Sequence, residues 1–196
     1  MQRNSWLSKM ENLYNIYIHN LAKNNIDKLF LNSDSEKMKT VFVEMFTHAE
    51  KELRIFAGNM CNETTSSQEY INAISDFIER KGKLRILLNN YDEDKIKKSN
   101  LFRRIAYYQS CGYDIILKKT DDKPFVRLND SEINVHVSIG DKKSYRLEFD
   151  TENRRAMCNM SNHTKANEFA NFFDKCFDEE YAEVIDLGAL FNMKEQ

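Results

Sequence analysis

Three short apolar runs most constrain what this chain can become: Leu53-Arg-Ile-Phe-Ala57, Leu84-Arg-Ile-Leu-Leu88 and Tyr113-Asp-Ile-Ile-Leu117. Each follows a segment with helical periodicity. Met38, Val41, Phe42, Met45, Phe46 and Ala49 share one stripe before the first run, and Tyr70, Ile71, Ile74, Phe77 and Ile78 share one before the second. A helix from about Asn100 to Ser110 precedes the third. Ser33-Asp-Ser-Glu36 and Ser66-Ser-Gln-Glu69 carry the pattern of capping boxes, in which a hydroxyl and a carboxylate satisfy free amides at a helix start. Strands joined by helices pair in parallel, because a tight turn cannot reverse the chain twice. The class is therefore α/β.

An earlier segment, Trp6 to about Phe30, carries Leu7, Met10, Leu13, Tyr14, Tyr17, Ile18 and Leu21 at three-and-four spacing and reads as an amphipathic helix. After Pro124 the pattern changes. Three candidate strands, Ile133 to Ile139, Ser144 to Phe149 and Arg155 to Met160, follow with connections too short for helices, so they are antiparallel neighbours. A helix starting at Asn162 or Thr164 presents Ala166, Phe169, Ala170, Phe173 and Phe177; with Phe172 its apolar face is wide enough for a dimer surface as well as core. Tyr181 to Leu187 is strand-like, and a last helical turn follows. The expected organisation is a helical extension over 1–30, one α/β domain with a mixed sheet flanked by helices over 31–188, and a tail over 189–196.

The 196 residues carry a formal charge of −2 with acids and bases interspersed, which argues against a protein that coats nucleic acid by bulk charge but leaves room for a local basic site. Four cysteines without a Cys-x-x-Cys pair read as reduced thiols. No two histidines have helical ligand spacing and no cysteine joins one locally, so no metal is expected. Gly-rich phosphate loops and a nucleophile elbow are missing from the sequence. With neither a secretion signal nor a bilayer-length apolar run, the expectation is a cytoplasmic chain away from membranes.

The alternating stretch from Ile133 to Phe149 holds the candidate site. Side chains alternate across a strand, so Ile133, Val135, Val137 and Ile139 share one face and Asn134, His136 and Ser138 the other. A three-residue loop, Gly140–Lys142, would set His136 opposite Arg146 and Asn134 opposite Glu148. The bland reading of such a face is a solvated sheet surface with an Arg–Glu pair.

The order of elements, with a His-bearing strand, a hairpin and an Asn-bearing strand, resembles one half of the phospholipase D superfamily, whose motif is H-x-K-x4-D followed by G-S-x-N. His136 stands at the motif histidine, and Ala156-Met-Cys-Asn-Met-Ser161 puts Asn159 at the motif asparagine. Ser138 occupies the lysine position, Lys143 the aspartate position, and Ala156-Met157 the Gly-Ser pair. The resemblance implies a histidine that attacks phosphorus, in a site completed by a second half from the same chain or a homodimer. Here Arg146 would replace the lysine on phosphate and Glu148 would orient the imidazole. The phosphate-binding set is then Arg146, Ser138, Asn134 and Lys143, beside catalytic His136, Asn159 and Glu148.

Three readings stay open: a non-catalytic phosphate- or nucleic-acid-binding or regulatory module, favoured by the missing lysine and aspartate; an atypical metal-independent phosphodiesterase or nuclease formed across a homodimer around His136; and a generic interaction domain. Lys118, Lys119, Lys123 and Arg127 form a modest basic patch, while His19, His48 and His163 read as helix-surface or boundary residues.

Overall fold

The computed structural model describes residues 2–128 and 131–193. In chain order the elements are α1 (Gln2–Lys23), β1 (Phe30–Asn32), α2 (Ser35–His48), β2 (Glu52–Ala57), α3 (Glu63–Ser66), α4 (Gln68–Glu79) and β3 (Lys83–Leu88). Then come α5 (Glu93–Lys98), α6 (Asn100–Ser110), β4 (Ile115–Lys119), β5 (Phe125–Leu128), β6 (Ser131–Asn134), β7 (His136–Gly140) and β8 (Ser144–Asp150). The chain closes with β9 (Arg155–Asn159), α7 (His163–Asp178), β10 (Glu183–Val184) and α8 (Leu187–Leu190).

Eight strands form one mixed sheet in the order β1-β9-β8-β7-β2-β3-β4-β10, and β5 with β6 makes a separate ribbon. The three apolar runs pair in parallel as β2-β3-β4, as the helical crossovers require. β7 joins the sheet antiparallel to β2, and β8, β9 and β1 continue antiparallel from it. The α/β class and mixed sheet expected from the sequence are those of the structure.

Helices cover both faces. α1, α2, α4 and α6 bury one around Leu53, Ile55, Leu84, Ile86 and Leu117, and α7 covers the other over Val137, Ile139, Tyr145 and Leu147. Several local expectations shift. The first helix ends at Lys23, and Phe30 begins an edge strand instead. From residue 11 onward its core face is Ile18, Leu21 and Ala22, whereas Leu13 and Tyr17 are exposed; the side chains of Leu7 and Met10 lie outside the described residues. α2 is capped by Asp34, whose carboxylate accepts from Lys37 N at 2.8 Å, and α4 by Ser67, so Ser33 and Ser66 do not cap. Asx side chains reach the N3 amide as well as serine does, and the tertiary position of the turn decides between neighbours. Asn162 caps α7, accepting from Lys165 N at 2.9 Å. Among the described residues, no helix is long and apolar enough to cross a membrane.

The β7–β8 hairpin closes through Asp141, Lys142 and Lys143, with Gly140 opposite Ser144. The three-residue length holds, but the loop sits one residue later than Gly140–Lys142. Asp141 takes a left-handed backbone (φ 53°), and its carboxylate accepts from the amides of Glu50, Lys51 and Glu52 at 2.6–2.9 Å. That clamp, which joins the turn to the start of β2, selects the observed register. His136 therefore faces Glu148 and Ser138 faces Arg146, so the expected pairing of His136 with Arg146 is corrected by two residues. A two-residue slip keeps every side chain on its own face.

Candidate functional site

The site lies where the sheet changes direction. The chain leaves β2 at Gly58, β3 at Asn89 and Asn90, and β4 toward Asp121, all at the carboxyl ends of parallel strands. Antiparallel β7 begins at that same end, which brings His136 among them. Such switch points leave a crevice because the connections diverge to opposite faces. Two adjoining pockets fill it, an inner one of about 300 Å³ and an outer one of about 600 Å³, with His136 and Gly58 in the walls of both.

His136 Nδ1 lies 3.0 Å from Glu148 Oε2, and Glu148 Oε1 accepts from Arg146 Nη2 at 2.8 Å. Arg146 Nε donates to Asn32 Oδ1 at 3.0 Å, and Asn32 Nδ2 donates to the Arg154 carbonyl at 2.8 Å. Apart from His136, whose side chain is 21 % exposed, this face is buried rather than solvated: Ser138 is 4 % exposed, Arg146 2 % and Glu148 6 %. α2 lies over it, with the Arg146 guanidinium 5.3 Å from the Phe42 ring centre. Burial pushes the Glu148 carboxyl up, but the His136 hydrogen bond and the Arg146 charge outweigh it and hold the group below the ordinary glutamate range. An ionised Glu148 favours the His136 tautomer with hydrogen on Nδ1, leaving the Nε2 lone pair toward the crevice. Gly58 packs beside that edge, where a Cβ would stand in ordinary van der Waals contact with Cε1 at 3.6 Å and Nε2 at 3.9 Å.

The polar wall of the inner pocket extends beyond this cluster. The Tyr70 hydroxyl is fully buried without a hydrogen-bond partner, and burial drives its pKa upward against the opposing Arg146 charge. Arg154 also lines the pocket, touching Met38 Sδ at 3.9 Å, with no ion-pair partner among the described residues. In the outer pocket Lys123 and Asn134 join His136.

Of the residues expected at the site, the structure brings together His136, Ser138, Arg146 and Glu148. Asn134 lines the outer pocket but pairs with Phe125 in the small ribbon, not with Glu148. Lys143 lies at the hairpin tip beyond Gly140, about 13 Å of strand from His136, and lines neither pocket. Asn159 pairs with Tyr145 and so points to the α7 side of the sheet; its side chain donates to Asp27 at 2.8 Å and accepts from Ser161 N at 2.9 Å. The β9 residues on the His136 face are Ala156 and Cys158, and burial pushes the Cys158 thiol up to about 12. The motif alignment is one residue away from the pleat, and strand alternation makes one residue a whole face. Asn32, Tyr70 and Arg154 were missed because each reaches the site from a separate element. Only Arg154, just before β9, lies near the hairpin in sequence.

No protein-family model matches the sequence, and no curated protein matches it. Solved structures do match. TrmBL2, an archaeal chromatin protein whose structure shows a novel mode of DNA binding, superposes with a TM-score of 0.61 at 15 % identity, over 94 % of this chain and 66 % of its own. The chain thus spans just under two thirds of TrmBL2. Nuc from Salmonella typhimurium, a phospholipase D family member, gives 0.54 at 11 % over 82 % of this chain and 99 % of its own. NucT from Helicobacter pylori gives 0.55 at 13 % over 82 % and 100 %. At these identities the likeness is one of fold: the chain has the phospholipase-D-like α/β fold.

Proposed function

We propose that this phospholipase-D-like fold is a phosphate-binding module for nucleic acid or another phosphodiester, without catalytic turnover. The observation that carries this reading is that Arg146, the cation beside the His136–Glu148 pair, is spent. It is 2 % exposed and bonded to Glu148 and Asn32. Phosphoryl chemistry needs positive charge at the reacting oxygens, and losing it costs orders of magnitude in rate. Ser138 at the family's lysine position and Asn159 on the other face supply none. Binding asks less. Arg154 and Lys123 offer charge to a phosphate, and Tyr70 and the His136 edge offer hydrogen bonds. TrmBL2 is described as binding DNA, which makes nucleic acid the first ligand to try.

A second reading rests on one feature. His136 is held through Nδ1 by a carboxylate with Nε2 at the crevice, the arrangement a nucleophilic imidazole needs. A homodimer uniting two His136 edges would then make an atypical metal-independent phosphodiesterase. The two readings separate on bis(p-nitrophenyl) phosphate and labelled DNA in the presence of EDTA. The binding module gives salt-dependent DNA binding that Arg154→Ala weakens several-fold, and no hydrolysis above background. Hydrolysis that disappears in His136→Ala would overturn it in favour of the phosphodiesterase.

A further inference from the structure

A second polar cluster lies between α1 and α2. His19 on α1 places Nδ1 3.2 Å from both carboxylate oxygens of Glu44 on α2. One turn later on α2, His48 Nε2 lies 3.2 Å from Glu44 Oε2, and one ligand atom from each of the three residues falls within 4.8 Å of the others.

His48 distinguishes this cluster from an ordinary ion-pair triad. Its Nε2 is buried and makes no hydrogen bond, although Glu44 Oε2 is within 3.2 Å. The ring axis therefore points past the carboxylate oxygen instead of at it. An ion shared by nitrogen and oxygen produces that geometry: ligands about 2.1 Å from a tetrahedral centre stand about 3.4 Å apart, with each lone pair aimed between its neighbours. The two imidazoles are neither stacked nor parallel, their centres 6.0 Å apart and planes inclined by 54°.

We propose that His19, Glu44 and His48 bind a divalent transition metal of the zinc class. Two imidazoles and one carboxylate suit such an ion; magnesium and calcium take oxygen ligands. The three residues leave a fourth position for water. The metal ties α1 to α2 at a join where α1 contributes Ile18, Leu21 and Ala22 to the core while Leu13, Ile16 and Tyr17 stay exposed. It steadies α2, whose Phe42 covers Arg146, without entering the crevice.

The test uses the full chain stripped with EDTA and titrated with zinc chloride by calorimetry, with cobalt(II) as the spectroscopic probe. One equivalent binds, and the melting temperature rises with free zinc, as binding to the folded state requires. Bound cobalt gives visible bands of a nitrogen–oxygen site without thiolate charge transfer. His19→Gln and His48→Gln each weaken binding by at least about ten-fold, the scale on which even outer ligand contacts act. His163→Gln leaves it unchanged. His19 is half-exposed, so its variant retains the fold even if that of His48 does not. Failure to bind one equivalent, a thiolate band, or undiminished binding in His19→Gln overturns the proposal.

Discussion

The two faces of the β7–β8 hairpin are equally buried and held in different ways. On one, Val137, Ile139, Tyr145 and Leu147 pack under Ala166, Ala170 and Phe173 of α7, with the Arg54–Asp174 ion pair nearby on β2. On the other, Ser138, Arg146 and Glu148 lie beneath α2 beside Asn32 and Cys158. The apolar face gains from non-directional burial, which tolerates gradual change in shape. The polar face depends on every partner being present, because one lost charge strands another in a medium of low dielectric. A buried ionic cluster is a poor way to gain stability. Its place beside a crevice supports the proposed binding role, in which the apolar face has no part.

Arg146→Met is the severest test of this contrast. It leaves Glu148 buried without its guanidinium and is expected to cost about 3–5 kcal/mol in urea unfolding. Leu147→Ala, on the apolar face, is expected to cost about 2–3 kcal/mol by the same measurement. A Leu147→Ala cost above that of Arg146→Met would reverse the ranking and break the comparison. Replacing the pair together, as Arg146→Met with Glu148→Leu, is expected to recover most of the loss of Arg146→Met alone, since no charge is then stranded. A double variant no more stable than the single one would mean that shape, not charge, sets the cost.

The smallest effect is on the pH profile. Glu148 has a folded-state pKa below its unfolded value, so its stabilisation is complete above the ordinary glutamate range and lost as pH falls through the lowered value. Glu148→Gln should flatten that part of the acid limb of stability, measured by melting temperature between pH 6 and pH 2. The Asp34, Asp92 and Asp150 contributions, which share the direction, remain. An acid limb as steep as in the parent chain would remove Glu148 from the network.

Much of the arrangement was legible because it is local. The runs that became β2 and β3, the stripe of α2 and the inward set Val137, Ile139, Tyr145 and Leu147 follow from periods of 2 and 3.6 residues. So did the company of His136, Ser138, Arg146 and Glu148 on one face. Their pairing was not legible, because Asp141 sets the register by reaching three amides of the β2 segment, far away in sequence. Asn159 was misplaced for a related reason. Motif spacing counts residues, whereas the pleat assigns faces, and Cys158 holds the position that spacing gave to its neighbour.

By itself, then, the sequence determined the α/β class, the element types and which hairpin residues share a face, since backbone geometry repeats over a few residues. Only the tertiary structure decided that the polar face is covered by α2 rather than water, and that Asn32 and Arg154 complete it. Tertiary packing alone also set His19 beside Glu44 and His48, because no helical period links residues on two helices. Packing of α1 on α2 joins them.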